Sequence, residues 1–446
     1  MNSVSLNGSI TYPFNDGGKR RYVAGALFVL ILLLGAFFSA EIVSVIYVSM
    51  LIICLVAANF KIKRGLISLV SPLFLLFVFG VLLNRSHPWP DVIKDAWYLL
   101  KIVVALGAGY LFMHYLGSLQ RLFRLVVIAS AILAMIHLFQ VALVFQTNAS
   151  LLDLRNAAGG GYFIPVVVLG LLAGIAQSRQ FIGIGRWPYY LAIVLCAGSL
   201  IASASRTNII SLALIIIVMR GWGRLNLKTM LIFASLGAAL AASFLTGALD
   251  ANQLESNQKD VSLINKFARS ATEVAIVDYE DMRDINTNWR GFESHRAYLT
   301  YLDGGLLEKV FGQGFGAMVD LGFYMPLGES EFRYIPVLHN GYMYVLVKYG
   351  LLGVLVYLFF IIRLVRVGSR VRTCQPVDLI VARRLTSSLG LVFLVSTVVI
   401  SGLFNKSTFD STLIILGATL AWYRMHDFRI KYQADSRNAT NRRFNY

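Results

Sequence analysis

Two short polar words interrupt long apolar stretches of this chain: Ser203-Ala204-Ser205-Arg206-Thr207, and Leu338-His339-Asn340-Gly341-Tyr342. Arginine and histidine at the edges of membrane spans are costly unless they face a polar cavity or a ligand. Arg206 follows Ser203 and Ser205, so it opens a helix behind a serine cap, where free backbone N–H groups favour an anion. A guanidinium there suits a phosphate or pyrophosphate; the plainer reading is a cap with an arginine reaching for the interface. His339 can take a proton near neutral pH and so can act as a general base; the plainer reading is a hydrogen-bonded structural histidine. No second histidine stands three or four residues away and no carboxylate cluster accompanies it, so no metal is expected.

A third word lies between them, Asn288-Trp289-Arg290-Gly291-Phe292-Glu293-Ser294-His295-Arg296. On a helix, Arg290 and Glu293 share a face and Arg296 follows about two turns from Arg290. Alone, this is a surface ion pair. Phe311-Gly312-Gln313-Gly314-Phe315-Gly316 comes next; it lacks the strand-then-helix setting of a nucleotide loop and reads as a tight turn bringing backbone against a ligand or another helix. Tyr349-Gly350-Leu351-Leu352-Gly353 reads as close helix packing. Lys101 falls inside an apolar stretch, which marks a cavity or a pairing role, and His137 is placed in the same cavity.

The elements that must position these residues are membrane helices. The 446 residues are 57% hydrophobic and only 14% charged, with a mean hydropathy of +0.68, more apolar surface than a soluble domain can hide. Cys54, Cys196 and Cys374 are far apart, so neither a disulfide framework nor a metal cluster is expected. The pattern predicts an all-α polytopic membrane protein with about twelve spans: Tyr22–Ala40, Ile42–Phe60, Leu66–Leu83, Ala96–Leu116, Leu122–Phe145, Tyr162–Gln177, Tyr189–Ala204, Thr207–Met219, Leu227–Leu249, Gly341–Ile362, Ser387–Leu403 and Thr408–Met425. Nine spans precede residue 250, one large loop fills 250–338, three spans occupy 339–425, and a polar tail follows from 426.

Basic residues fix the orientation. Lys19, Arg20, Arg21, Lys61, Lys63, Arg64, Arg121, Arg124, Arg179, Arg186, Arg220, Arg224 and Lys228 fall on one side, with the run from Arg363 to Arg384 and the tail. That side is cytoplasmic, both termini with it, and the large loop faces outward. The net charge of +17 is then topology, and nucleic acid is not an expected partner. A hairpin at Tyr189–Met219 keeps this pattern; its arms of about 15 residues reach about 23 Å, less than the hydrocarbon thickness, so Arg206 would lie in a recess.

Taken in order, Ser203-Ala204-Ser205-Arg206, Trp289-Arg290 with Glu293, Gly312-Gln313-Gly314-Phe315-Gly316, His339-Asn340-Gly341-Tyr342 and Lys348-Tyr349-Gly350-Leu351-Leu352-Gly353 resemble the bacterial O-antigen polymerase and O-antigen ligase superfamily. The motifs cover about Ser199 to Gly353. The resemblance implies a glycosyltransferase of the bacterial inner membrane, with no metal or other cofactor, acting at the periplasmic face under the large loop. It moves a glycan from an undecaprenyl pyrophosphate donor to an acceptor hydroxyl. By position, Arg206 and Arg290 would hold the pyrophosphate and His339 would activate or orient the acceptor. Arg296, Lys101 and Asn340 would make further substrate contacts. Implied partners are the lipid-linked glycan, the bilayer, and flippase and chain-length regulator proteins. Polymerisation of O-antigen, capsule or exopolysaccharide repeats is the reading preferred, because no extended ligase-type signature surrounds His339. A ligase transferring to lipid A-core is the alternative. A lipid-linked oligosaccharide transporter would show inverted repeats and paired broken helices, and neither is evident. An envelope scaffold would leave Arg206, Arg290 and His339 on one side without a reason.

Overall fold

The computed structural model describes residues 18–60, 64–83, 87–144, 161–175, 177–221, 281–327, 330–369, 375–404 and 408–426. Its helices are α1 (Gly18–Leu33), α2 (Ala40–Ala57), α3 (Arg64–Leu82), α4 (Trp89–Leu116), α5 (Leu119–Val144), α6 (Ile164–Gly174), α7 (Ser178–Ile182), α8 (Arg186–Ser203) and α9 (Arg206–Arg220). After the undescribed stretch come α10 (Met282–Thr287), α11 (Trp289–Asp303), α12 (Leu306–Phe311), strands β1 (Val319–Leu327) and β2 (Ser330–Ile335), α13 (Gly341–Ser369), α14 (Val377–Ile400), and a last helix α15 over 410–426. Among the described residues, six helices are long and apolar enough to cross a membrane: α2, α3, α4, α5, α13 and α14. Tyr22–Ala36 and Ile164–Gly174 are shorter apolar helices. The protein is a polytopic membrane protein with a mostly helical fold; six candidate spans stand where the sequence suggested twelve. The ninth expected span, Leu227–Leu249, the acidic first part of the large loop and most of the polar tail lie outside the described residues.

Two differences from the sequence reading matter for the site. The chain is not all-α: β1 and β2 pair antiparallel, with an irregularity between Asp320 and Met325. Helices α4 and α14 also begin earlier than expected, at Trp89 and Val377, because proline-led turns start them ahead of the apolar run. The extra turns of α4 carry Asp95 into the core, where it is fully buried.

Helix α4 is the axis of the bundle. Of its most apolar window 78% is buried, against 28% for α2, which leaves α2 at the periphery. It meets α15 without intervening side chains: a Cβ at Gly109 would stand 2.0 Å from the Ile414 carbonyl oxygen, and one at Gly417 2.2 Å from that of Leu106. Small residues permit such approach where no hydrophobic effect drives helices together in lipid. Across the same interface Lys101 Nζ lies 3.4 Å from Asp410 Oδ1, both residues buried.

The glycine run straps a broken helix. Within α13, Gly350 adopts φ 67 and ψ −170, a combination that only glycine takes readily. The carbonyls of Val347 and Lys348, just before the break, accept hydrogen bonds from the backbone N–H groups of Gln313 (2.9 Å) and Gly314 (3.0 Å). Phe315 N–H continues to the Gly80 carbonyl (2.9 Å), and its ring wedges between Phe77 and Tyr349. The run is a close backbone approach, as its glycines suggest, and what it approaches is a helix. Gly350→Ala would place a Cβ 2.5 Å from the Gly312 nitrogen and the Val310 carbonyl. We expect a stability loss of about 2 kcal/mol or more, read as a lower melting temperature of the detergent-solubilised protein.

Candidate functional site

The hairpin around Arg206 forms as local chemistry dictates. Helix α8 stops at Ser203, Ala204 turns the chain in a left-handed conformation (φ 44), and Ser205 caps α9 by accepting from Asn208 N–H at 3.4 Å. Arg206 is thus the first residue of α9. A cation there opposes the helix dipole, a cost of about 0.3–1 kcal/mol at an exposed end. An anion seated on both the guanidinium and the free N–H groups removes it. Below the turn, His137 Nδ1 meets Ser199 Oγ at 2.8 Å, joining α5 to α8.

His339 sits just before α13. Asn340 caps that helix, its Oδ1 accepting from Tyr342 N–H (3.1 Å) and Met343 N–H (3.3 Å), while its Nδ2 donates to Ser294 Oγ (3.3 Å). The other end of the cluster comes from α11. Glu293 is buried, and its Oε2 accepts both the His339 backbone N–H (3.0 Å) and His339 Nδ1 (2.9 Å). A carboxylate accepts, so Nδ1 is the ring nitrogen that donates to it, and Nε2 is the one left to exchange a proton with a bound partner. The imidazole side chain is 49% exposed while the Glu293 side chain is 4% exposed. A buried acid therefore holds a half-open base in one orientation. Arg290 lies one helical turn from Glu293 on the same helix, and its carbonyl accepts from Ser294 Oγ at 2.8 Å.

Helix α14 relates Arg206 to this cluster. Arg384 Nη1 donates to the Met219 carbonyl at 2.9 Å, and α9 packs along α14 from there. Thirteen residues separate Met219 from Arg206, a rise of about 20 Å. The same rise from Arg384 reaches Thr397, whose Cγ2 lies 2.8 Å from where a Gly341 Cβ would be. Ser401, at the end of α14, donates its N–H to the His339 carbonyl and its hydroxyl to the Leu338 carbonyl. Arg206 and His339 accordingly stand at the same end of the bundle, on elements joined by α14.

Three residues expected to contact substrate have partners within the protein. Lys101 is 4% exposed against Asp410, inside the bundle. Arg296 Nε donates to the Asp320 carbonyl at 2.9 Å, fixing β1 to α11. Asn340 is held by its cap and by Ser294. The hairpin end is further closed by Arg333, whose bond to Asp320 holds that carboxyl below the usual carboxylate range. In the other direction, the sequence reading missed two features: Glu293 as the partner of His339, and a buried node around Asp95. Asp95 accepts from Tyr344 Oη (2.9 Å), Gly316 N–H (2.7 Å) and Lys348 Nζ. Lys348 also donates to the Ala317 carbonyl. Glu293 stood three residues from Arg290 in the quoted word, which was its only signal.

The stretch from α8 to α13 therefore carries Arg206, Arg290, Glu293, His339 and the kink at Gly350 in one run of sequence. Residues 191–358 match the O-antigen ligase family. The match begins within α8 and ends within α13, so α4, α5, α14 and α15 lie outside it. No curated protein matches the chain. Within the matched segment Arg206 opens α9, Arg290 and Glu293 lie in the first turns of α11, and His339 precedes α13. Lys101 and Asp95 lie outside it. The family implies a membrane enzyme that transfers glycan from a lipid-linked substrate, and the buried acid–histidine pair is chemistry suited to that task.

Proposed function

We propose that the protein polymerises lipid-linked polysaccharide repeat units at the periplasmic face of a bacterial inner membrane, its termini in the cytoplasm. The donor is a glycan on undecaprenyl pyrophosphate; the acceptor is a sugar hydroxyl. His339 Nε2 takes the proton of that hydroxyl, the oxygen attacks the anomeric carbon, and the bond from that carbon to the pyrophosphate breaks. Undecaprenyl pyrophosphate leaves with its electron pair. Arg206 and Arg290 hold the charge that develops on it, as fixed cations do best where charge appears only in the transition state. Imidazolium formed at His339 is stabilised by Glu293. The observation that carries this reading is the His339–Glu293 bond, because it fixes the orientation of a half-exposed imidazole that can take a proton.

A second reading, transfer of the finished glycan to lipid A-core, is favoured by the description of the matched family as a ligase. The two separate in a deletion strain whose surface glycan is run as a size ladder with lipid-linked intermediates extracted alongside. A single repeat unit on the product with long chains gone supports the polymerase. Long chains accumulating on undecaprenyl pyrophosphate support the ligase, and an unchanged ladder contradicts both. Glu293→Gln keeps the shape of the pair but removes the charge that stabilises imidazolium. We expect transfer to fall about 10- to 100-fold with protein level unchanged, measured as the rate of chain growth in isolated membranes.

A further inference from the structure

The end of the bundle away from His339 holds a cavity of about 580 Å³ lined by Arg179, Arg186 and Arg220 with Ser178, Tyr189 and Tyr190. The arginines come from three segments: α7, the first residue of α8 and the last residue of α9. Among the described residues, no hydrogen bond or ion pair is made by any of these three side chains, and no carboxylate lines the cavity. Its walls are nevertheless built. Arg124 donates from Nε (3.3 Å) and Nη2 (3.2 Å) to the Ile182 carbonyl, pinning α7 to α5. The buried Ser178 hydroxyl meets Tyr189 Oη at 2.8 Å, pinning α7 to α8. Three converging cations with no acid between them repel one another, and an anion seated among them relieves that repulsion.

The surroundings say which anion. Beside the cavity, α8 exposes Trp187 (84%) and Tyr190 (50%), ring types that sit at headgroup level. From there Leu191, Val194 and Ile201 continue an exposed apolar stripe along the same helix at helical spacing. Basic pockets between membrane helices at the cytoplasmic side suit acidic lipid headgroups. We propose that this cavity binds the headgroup of an anionic phospholipid, with its acyl chains along α8. The occupant would brace α8 against α9, the two helices whose other ends form the turn carrying Arg206. The site is separate from the transfer site: Arg220 is fourteen residues, about 21 Å, along α9 from Arg206.

The test is native mass spectrometry of the full-length protein released from nanodiscs of mixed phosphatidylglycerol and phosphatidylcholine. The wild type is expected to retain one phosphatidylglycerol in preference to phosphatidylcholine. Removing three surface cations in R179Q/R186Q/R220Q should weaken that binding about 100-fold, while Arg64→Gln, at the exposed start of α3, leaves it unchanged. Melting in pure phosphatidylcholine nanodiscs checks that the triple variant is folded; should it not be, Arg186→Gln alone is expected to bind about fivefold more weakly. Equal retention of phosphatidylcholine, wild-type binding by the substituted protein, or full displacement of the lipid by inorganic phosphate would each overturn the proposal.

Discussion

His339→Ala is expected to slow glycan transfer about 10²- to 10⁴-fold, the contribution usual for a positioned general base. The variant should still fold. The bonds that tie residue 339 into the structure through its main chain, its N–H to Glu293 and its carbonyl to Ser401 N–H, do not need the imidazole. Helix α13 keeps its Asn340 cap. The loss should therefore appear in the catalytic rate with membrane protein level and melting temperature close to wild type. His339→Gln, which can still hydrogen-bond to Glu293 but cannot take a proton, should be as impaired as alanine. A glutamine variant with near wild-type turnover would mean that residue 339 only orients the acceptor.

The second large effect is on stability and comes from the node under the strap. Asp95 and Lys348 are both buried, and their pairing is completed by Tyr344 and Gly316. Lys348→Met leaves a buried carboxylate without its cation. Such a change costs about 3–5 kcal/mol, enough to remove most folded protein from a marginally stable domain. Asp95→Asn strands the ammonium in the same way. The double variant, with both charges gone, should be less destabilised than the sum of the two, because neither buried charge is then uncompensated. Thermal inactivation in detergent, run as a double-mutant cycle, measures this. Additive losses would mean that Asp95 and Lys348 act on separate partners. The node also bears on function: Lys348 lies two residues before the break at Gly350, and its bond to the Ala317 carbonyl leads into β1 at Val319. Loosening it frees the segment that leads from the glycine run to the hairpin pinned by Arg296.

What was legible in the sequence was local. Ser205 before Arg206 announces a helix start because a hydroxyl can satisfy a free N–H there, and the break between α8 and α9 lies where the polar word stands. The glycine run announces close backbone approach because only residues without a Cβ allow it. Interactions joining distant segments were not legible. Asp95 and Lys348 are 253 residues apart, and Asp95 read as loop because the apolar run begins after it. Lys101 read as facing a cavity or making a pair, and it does pair; which acid it meets was not legible, because Asp410 is a single acid 309 residues away at the start of another helix. The β-hairpin was hidden for a different reason: Leu321-Gly322-Phe323-Tyr324-Met325-Pro326 lacks a clean alternation of apolar and polar residues. Glu293 was visible only as half of an Arg290 pair, since helical spacing reports neighbours on one helix and says nothing of a histidine 46 residues on.

We propose one site for glycan transfer, made of Arg206, Arg290 and the His339–Glu293 pair. A cryo-electron microscopy structure of the full-length protein with undecaprenyl pyrophosphate bound tests it most directly. The pyrophosphate is expected within hydrogen-bonding reach of both guanidinium groups, with His339 Nε2 facing the place of the acceptor hydroxyl. Guanidinium groups more than about 15 Å apart with the lipid in place, beyond the shared reach of one pyrophosphate, would contradict it.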